Sequence, residues 1–157
     1  MILAIDPGPA LSAYVLYDED AGAVRSFAKL SNCELLDRLR GMAESVMAIE
    51  MIASYGMPVG REVFETCVWI GRFIQYWGSR EGHAELVYRA QVKRHLCNST
   101  RAKDGNVRQA VIDAFGGKVT ALGNKKQPGP LYGVSGDVWS ALAVAITYAD
   151  KERHSIL

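Results

Sequence analysis

Three carboxylates stand at the edges of three apolar segments, and no other feature of this 157-residue chain limits its fold as much. Asp6 ends Ile2-Leu3-Ala4-Ile5-Asp6, immediately before Pro7-Gly8. Glu50 ends Ser45-Val46-Met47-Ala48-Ile49-Glu50, and Asp137 opens the apolar run from Val138 to Ile146. Two strand ends and one helix start bring three acids together only in an α/β sheet folded around them. Clustered carboxylates repel one another, and they usually persist because a divalent cation neutralises them. The pattern points to metal-dependent phosphoryl transfer, with nuclease chemistry as the first candidate.

Hydrophobic residues make up 49% of the chain, enough for one globular domain with a real core. No apolar run reaches the roughly 20 residues that a bilayer span needs, so no membrane role is expected. The first residues read as a strand rather than a secretory leader. Cys33, Cys67 and Cys97 are odd in number and lack a CxxC pair, as expected of reduced thiols in a cytoplasmic protein. The net charge of +1 hides an asymmetry: residues 1–85 carry 7 basic and 12 acidic side chains, residues 86–157 carry 11 and 5. A basic half can present a phosphate-binding face, although two ordinary solvated faces explain the same counts.

Apolar patterning predicts strands over 2–6, 10–18 and 23–30, an N-terminal meander turned at Asp18-Glu19-Asp20-Ala21-Gly22. Leu35, Leu36, Leu39, Met42 and Ala43 recur at helical spacing, and 45–50 is the next strand. After Pro58-Val59-Gly60, a broad stripe through Val63, Cys67, Ile70, Ile74 and Trp77 marks a long helix stopped at Gly78. A short strand over 85–88 and a basic helix over 90–97 follow. Asp104 is the expected cap of a helix ended by Gly116-Gly117, residues 118–136 read as loop, and a last helix runs from about Asp137 to Asp150. Residues 1–150 thus form a single domain, with 151–157 as a frayed tail.

Each acid has an ordinary structural alternative. Asp6 before Pro-Gly can simply start a turn, Glu50 can be solvated at the strand exit, and Asp137 can cap its helix. The combination favours a joint role. An unpartnered Glu50 beyond so apolar a strand would be costly, and hard oxygen ligands suit Mg²⁺ or Mn²⁺. Two basic groups are candidates for DNA phosphates: Arg89, Lys93, Arg94, His95, Arg101, Lys103 and Arg108, and the Lys125–Lys126 pair on a Gly/Pro-bounded loop. Tyr55 has two readings, a stacking platform for an unpaired base or a core residue. Trp69, Tyr76 and Trp77 fit packing or dimer contacts better than a ligand site.

The ordered segments Ile5-Asp6-Pro7-Gly8, Ile49-Glu50 and Gly136-Asp137-Val138-Trp139-Ser140-Ala141-Leu142-Ala143-Val144-Ala145 resemble the RuvC family of Holliday-junction resolvases. The resemblance covers roughly residues 2–150. Val92-Lys93-Arg94-His95-Leu96-Cys97 and Lys125-Lys126-Gln127-Pro128-Gly129-Pro130-Leu131-Tyr132-Gly133 look more like its phage-encoded branch, which would place the protein in the host cytoplasm. It implies a ribonuclease H-like α/β fold, a mixed five-stranded sheet flanked by helices on both faces. It also implies a homodimer on four-way or branched DNA, no small-molecule cofactor, and Mg²⁺ or Mn²⁺ at Asp6, Glu50 and Asp137, two ions per site. Cellular relatives usually carry an acid, sometimes a His, three residues after the equivalent of Asp137. Here that position is Ser140, a weaker, neutral metal ligand. Their junction-probing aromatic corresponds to Ala53, so Tyr55 is the nearest substitute. A resolvase making paired nicks is thus the expected function. The alternatives are a junction-binding protein with little or no nuclease activity, or a nuclease of this fold acting on structured RNA.

Overall fold

The structure is a computed structural model that describes residues 1–42, 46–54 and 56–155, with side chains to 153. Ala43, Ser45, Tyr55 and the last two residues of the expected tail lie outside the described residues. The chain runs β1 (Ile2–Asp6), β2 (Leu11–Asp18), β3 (Ala23–Ser31), α1 (Asn32–Leu39), β4 (Val46–Met51), α2 (Arg61–Gly78) and β5 (Ala84–Tyr88). It continues through α3 (Arg89–Cys97), α4 (Asp104–Ala114), α5 (Gly117–Leu122) and α6 (Val138–Ser155). The strands form one mixed sheet in the order β3-β2-β1-β4-β5. β1–β2 and β2–β3 are antiparallel; β1–β4 and β4–β5 are parallel.

The period of two along each strand divides the core in half. Leu3, Ile5, Tyr14, Met47 and Ile49 face α1 and α2, where Leu35, Leu39, Ile70, Phe73 and Trp77 complete one cluster. Ile2, Ala4, Ala13, Val15, Ala48 and Val87 face the other way and pack against α6 and residues of α3, α4 and α5. Every residue from Ala141 to Ala145 is fully buried. A helix apolar all round belongs inside a fold, and α6 is the central element of that layer. Alanines on both sides, Ala4, Ala13 and Ala48 on the sheet and Ala141 and Ala145 on the helix, fill the contact with small side chains.

Local signals set the element ends. Ser31 caps α1 reciprocally with Glu34: the Glu34 amide donates to the Ser31 hydroxyl at 3.3 Å, and the Ser31 amide donates to the Glu34 carboxylate at 3.0 Å. The tryptophan and tyrosine of α2 are packing residues, with Trp77 buried and Trp69 and Tyr76 resting against the same cluster. Asp104 is not the cap of α4. It lies one residue inside the helix, and its carboxylate turns to Arg89 instead. Part of the expected loop 118–136 is helical: α5 begins after Gly116, at φ +89°, and buries Ala121. α6 outlasts its expected end at Asp150 and reaches Ser155, and in this extension the Arg153 guanidinium donates to the Glu19 carbonyl.

The turn after Asp6 is held by a buried polar network. The Ser12 hydroxyl donates to the Asn32 side-chain oxygen at 2.6 Å and accepts from the Gly8 amide at 3.2 Å. The Asn32 side-chain amide donates to the Gly8 carbonyl at 2.9 Å, and its backbone amide donates to Ala10 at 3.0 Å. A side chain at position 8 would collide with the Leu11 carbonyl oxygen. Ser12 and Asn32 are both buried, so every member of this network needs its partner. Replacing Asn32 with Ala strands the Ser12 hydroxyl and the Gly8 carbonyl. We expect a loss of about 1–3 kcal/mol in urea-unfolding stability; a neutral substitution would show that water satisfies these groups instead.

Candidate active site

Sheet register brings two of the three acids together. The last β1–β4 partners are Ile5 and Ile49, so Asp6 and Glu50 follow side by side at the carboxyl ends of parallel strands. Both continue the Ile2–Ala4 and Val46–Ala48 alternation and so emerge on the α6 face. Open α/β sheets place ligands at this end of their parallel strands. α6 supplies Asp137 one residue before its start and Ser140 in its first turn. Asp6 thus lies where it feels the charges of Glu50 and Asp137 and the Ser140 hydroxyl.

The electrostatics record this crowding. Burial, then the charge of Glu50, then that of Asp137, push the Asp6 carboxyl up from the ordinary 3.8 to about 7. Arg89 and the Ser140 hydroxyl pull the other way without cancelling the effect. Burial also raises Glu50, against the lowering influence of Arg89.

Two cations hold the remaining acids. Arg89, at the start of α3 directly beyond β5, donates to Glu50 at 3.4 Å and to Asp104 at 2.7 Å. Lys29 of β3 donates to Asp137 at 2.5 Å. The pattern of the sequence had marked Arg89 only as a phosphate contact, and it had no reason to single out Lys29, an exposed residue on a strand that alternates like any other. The signal becomes readable only once strand register is known.

Beside the acids, a cleft of about 320 Å³ is lined by Arg89, Arg108, Asp137, Trp139 and Ser140. The Arg108 guanidinium lies 4.9 Å from the centre of the Trp139 ring, a cation–π contact that holds it at the rim. Lys93 joins Arg89 along an adjoining groove of about 260 Å³ and lies 3.9 Å from Asp104. Arg94, Arg101 and Lys103 are exposed on α3 and the connection to α4. His95 faces away from the acids and pairs with Asp150 of α6 at 2.8 Å. Lys125 and Lys126 are exposed on a separate loop closed by the Gly123–Pro128 bridge.

Hard oxygen donors around an under-neutralised carboxylate suit a divalent cation such as Mg²⁺ or Mn²⁺ in chemistry. Their arrangement is a charge-paired one: among the described residues no three acidic, His or Cys side chains converge closely enough to hold a metal ion. Likewise, no helix among the described residues is long and apolar enough to cross a membrane.

The sheet order, the helices on both faces and the acids at the strand ends define a ribonuclease H-like fold. Among solved structures, Thermus thermophilus RuvC matches it with a TM-score of 0.72 at 15% identity, over 98% of this chain and 96% of that one. Thermus thermophilus RuvC in complex with a Holliday junction substrate matches with a TM-score of 0.71 at 16% identity, over 98% and 95%. No protein-family model and no curated protein matches the sequence.

The raised Asp6 carboxyl has a consequence for stability. The folded protein holds this proton more tightly than the unfolded chain does, so the contribution of Asp6 to metal-free stability falls as pH rises from about 4 to about 7 and levels off above. Asp6→Asn removes the penalty. In EDTA we expect the variant to exceed wild type at pH 8 by up to about 4 kcal/mol, with the gap closing towards pH 4. Urea unfolding across that range checks it; a pH-independent difference would mean that Asp6 is not buried against its neighbours' charge.

Proposed function

We propose that this protein is a structure-selective DNA endonuclease that cuts four-way or branched DNA by metal-dependent phosphodiester hydrolysis. The observation that carries the reading is the half-buried Asp6 beside Glu50 and Asp137, next to a cleft rimmed by Arg108. Support comes also from the fold shared with a RuvC whose solved complex holds a Holliday junction substrate.

Asp6, Glu50 and Asp137 would hold the divalent ion, with Ser140 as a neutral oxygen beside them, once the ion displaces Lys29 from Asp137 and draws the three carboxylates closer than they stand in the resting site. Once bound, Mg²⁺ or Mn²⁺ would lower the pKa of an attacking water and offset the charge on the leaving 3′-oxygen. The chain's own residues do the rest. Arg89, fixed by Asp104, orients Glu50. Arg108, held over Trp139, offers a guanidinium to a phosphate entering the cleft. Lys93, Arg94, Arg101 and Lys103 extend the positive surface along which a DNA backbone would run, and Lys125 and Lys126 add a second contact. A two-fold dimer would present two such sites to opposing strands. Phe64 and Val68, each more than half exposed on α2, support that helix as its interface.

A second reading, a junction-binding protein without cleavage, is favoured by Ser140 and by the cations already seated on Glu50 and Asp137. Labelled four-way junction, linear duplex and structured RNA, incubated with Mg²⁺, Mn²⁺ or EDTA, separate the readings. We expect paired nicks in the junction alone, dependent on metal. Asp6→Asn should lower cleavage by about 10²- to 10³-fold, as loss of a principal electrostatic group in a catalytic site does, while junction affinity stays within a few-fold. Tight binding without cleavage under any metal would establish the second reading, and cutting confined to RNA would overturn both.

A further inference from the structure

Lys29 occupies a place that the reading above does not use. It pairs with Ala13 across β3–β2, and Ala13 pairs with Asp6 across β2–β1. Asp6 is followed in the same row by Glu50, which pairs with Val87 of β5. One row across the sheet therefore reads Lys29, Ala13, Asp6, Glu50, Val87, all on the α6 face. Ala13 is fully buried and has only a methyl group, so nothing bulky stands between the lysine and the acids. The lysine reaches over it to the Asp137 carboxylate.

The two cations of the site are held differently. Arg89 is mostly buried and bridges two acids, Glu50 and Asp104, so it is fixed in place. Lys29 is about half exposed, as is Asp137, and their contact is a single ion pair. Exposed pairs of this kind are weak and exchange readily. Lys29 also has a long, flexible stem and three donors without a fixed geometry, which lets it serve a carboxylate or a phosphate.

We propose that Lys29 is a substrate-positioning residue that alternates between two partners. Without metal it is the resident counterion of Asp137. When a divalent cation takes Asp137, Lys29 is released to a phosphate of the DNA backbone. Metal and DNA would then bind cooperatively, because each relieves the site of what the other displaces. This rests on the nuclease reading, and it requires that Lys29 touch DNA only in the metal-loaded state.

Ca²⁺, which seeks the same oxygen ligands, is the probe for Lys29→Met, with Lys29→Arg as the charge-retaining control. Calorimetric titration of the free protein should show Ca²⁺ binding about two- to fivefold tighter in Lys29→Met, the range that one exposed ion pair allows. Junction affinity is measured by anisotropy in EDTA and in Ca²⁺, with the DNA checked intact afterwards. In EDTA the Met variant should bind nearly as tightly as wild type, with only the small loss that the uncovered Asp137 charge causes. In Ca²⁺ it should bind several-fold more weakly, with its salt slope reduced by about one phosphate contact, and the Arg variant should restore both. An equal loss in EDTA and Ca²⁺ would make Lys29 an ordinary phosphate contact, and no loss in either would remove it from DNA binding; each overturns the proposal. A wild type that binds no branched DNA would defeat the nuclease reading itself. Tighter Ca²⁺ binding by the Met variant would then leave Lys29 as a counterion only, and the exchange would be overturned with it.

Discussion

Because β1 pairs in parallel with β4 at the Ile5–Ile49 register, the next residue of each strand leaves the sheet on the same face and at the same height. A slip of one residue would turn Glu50 towards α1 and α2 and leave Asp6 alone. What fixes the register is not the acids but the two cores. Met47 and Ile49 fill the α1–α2 side together with Leu3 and Ile5, while Ile2, Ala4 and Ala48 fill the α6 side. The geometry of the polar end is therefore set by hydrophobic burial a few residues away. The Ser12–Asn32–Gly8 network completes this by fixing the turn that begins at Pro7.

Burial and like charge act against stability here, and the fold tolerates them at one place. Asp6 is the acid with the least compensation: Glu50 has Arg89 and Asp137 has Lys29. Arg89 cannot serve Asp6 fully because Asp104 holds its other nitrogen at 2.7 Å. Asp104, an acid outside the cluster, thereby keeps the nearest strong cation turned partly away from the central carboxylate. Residues at catalytic sites often carry strain of this kind, which a ligand of opposite charge relieves.

Most of the framework was legible in the sequence because each element carries a strong period of its own. β1, β4, the α2 stripe and the apolar α6 announce themselves, and the order of motifs pointed to the mixed five-stranded sheet that the structure contains. α5 was not legible: six residues between glycines carry too short a pattern to separate from loop, and only the burial of Ala121 in the core beside α4 makes it a helix. The end of α6 was misplaced for a related reason, since a polar last turn looks the same whether frayed or helical. At the site, the acids were legible because each sits at the edge of an apolar run. Their cations were not, because Lys29 is 108 residues from Asp137, and Arg89 is 39 from Glu50. Ion pairs of that separation follow from register and topology, which no local pattern encodes.

Ser140 fits the same electrostatic account. It lies in the first turn of α6, three residues after Asp137, near enough to Asp6 for its hydroxyl to lower that carboxyl's proton affinity. A carboxylate at this position would add a fourth negative charge beside a group already pushed to about 7, and like charges so close cannot all stay ionised without a cation. The hydroxyl stabilises ionised Asp6 instead of opposing it. It lets the fold stand with two resident cations among these acids. Site charge is thus kept low in the resting protein by three separate means: Arg89 on Glu50, Lys29 on Asp137 and a neutral residue at 140. Of these, the Lys29 contact is a single ion pair between two half-exposed side chains, so it contributes the least to that balance.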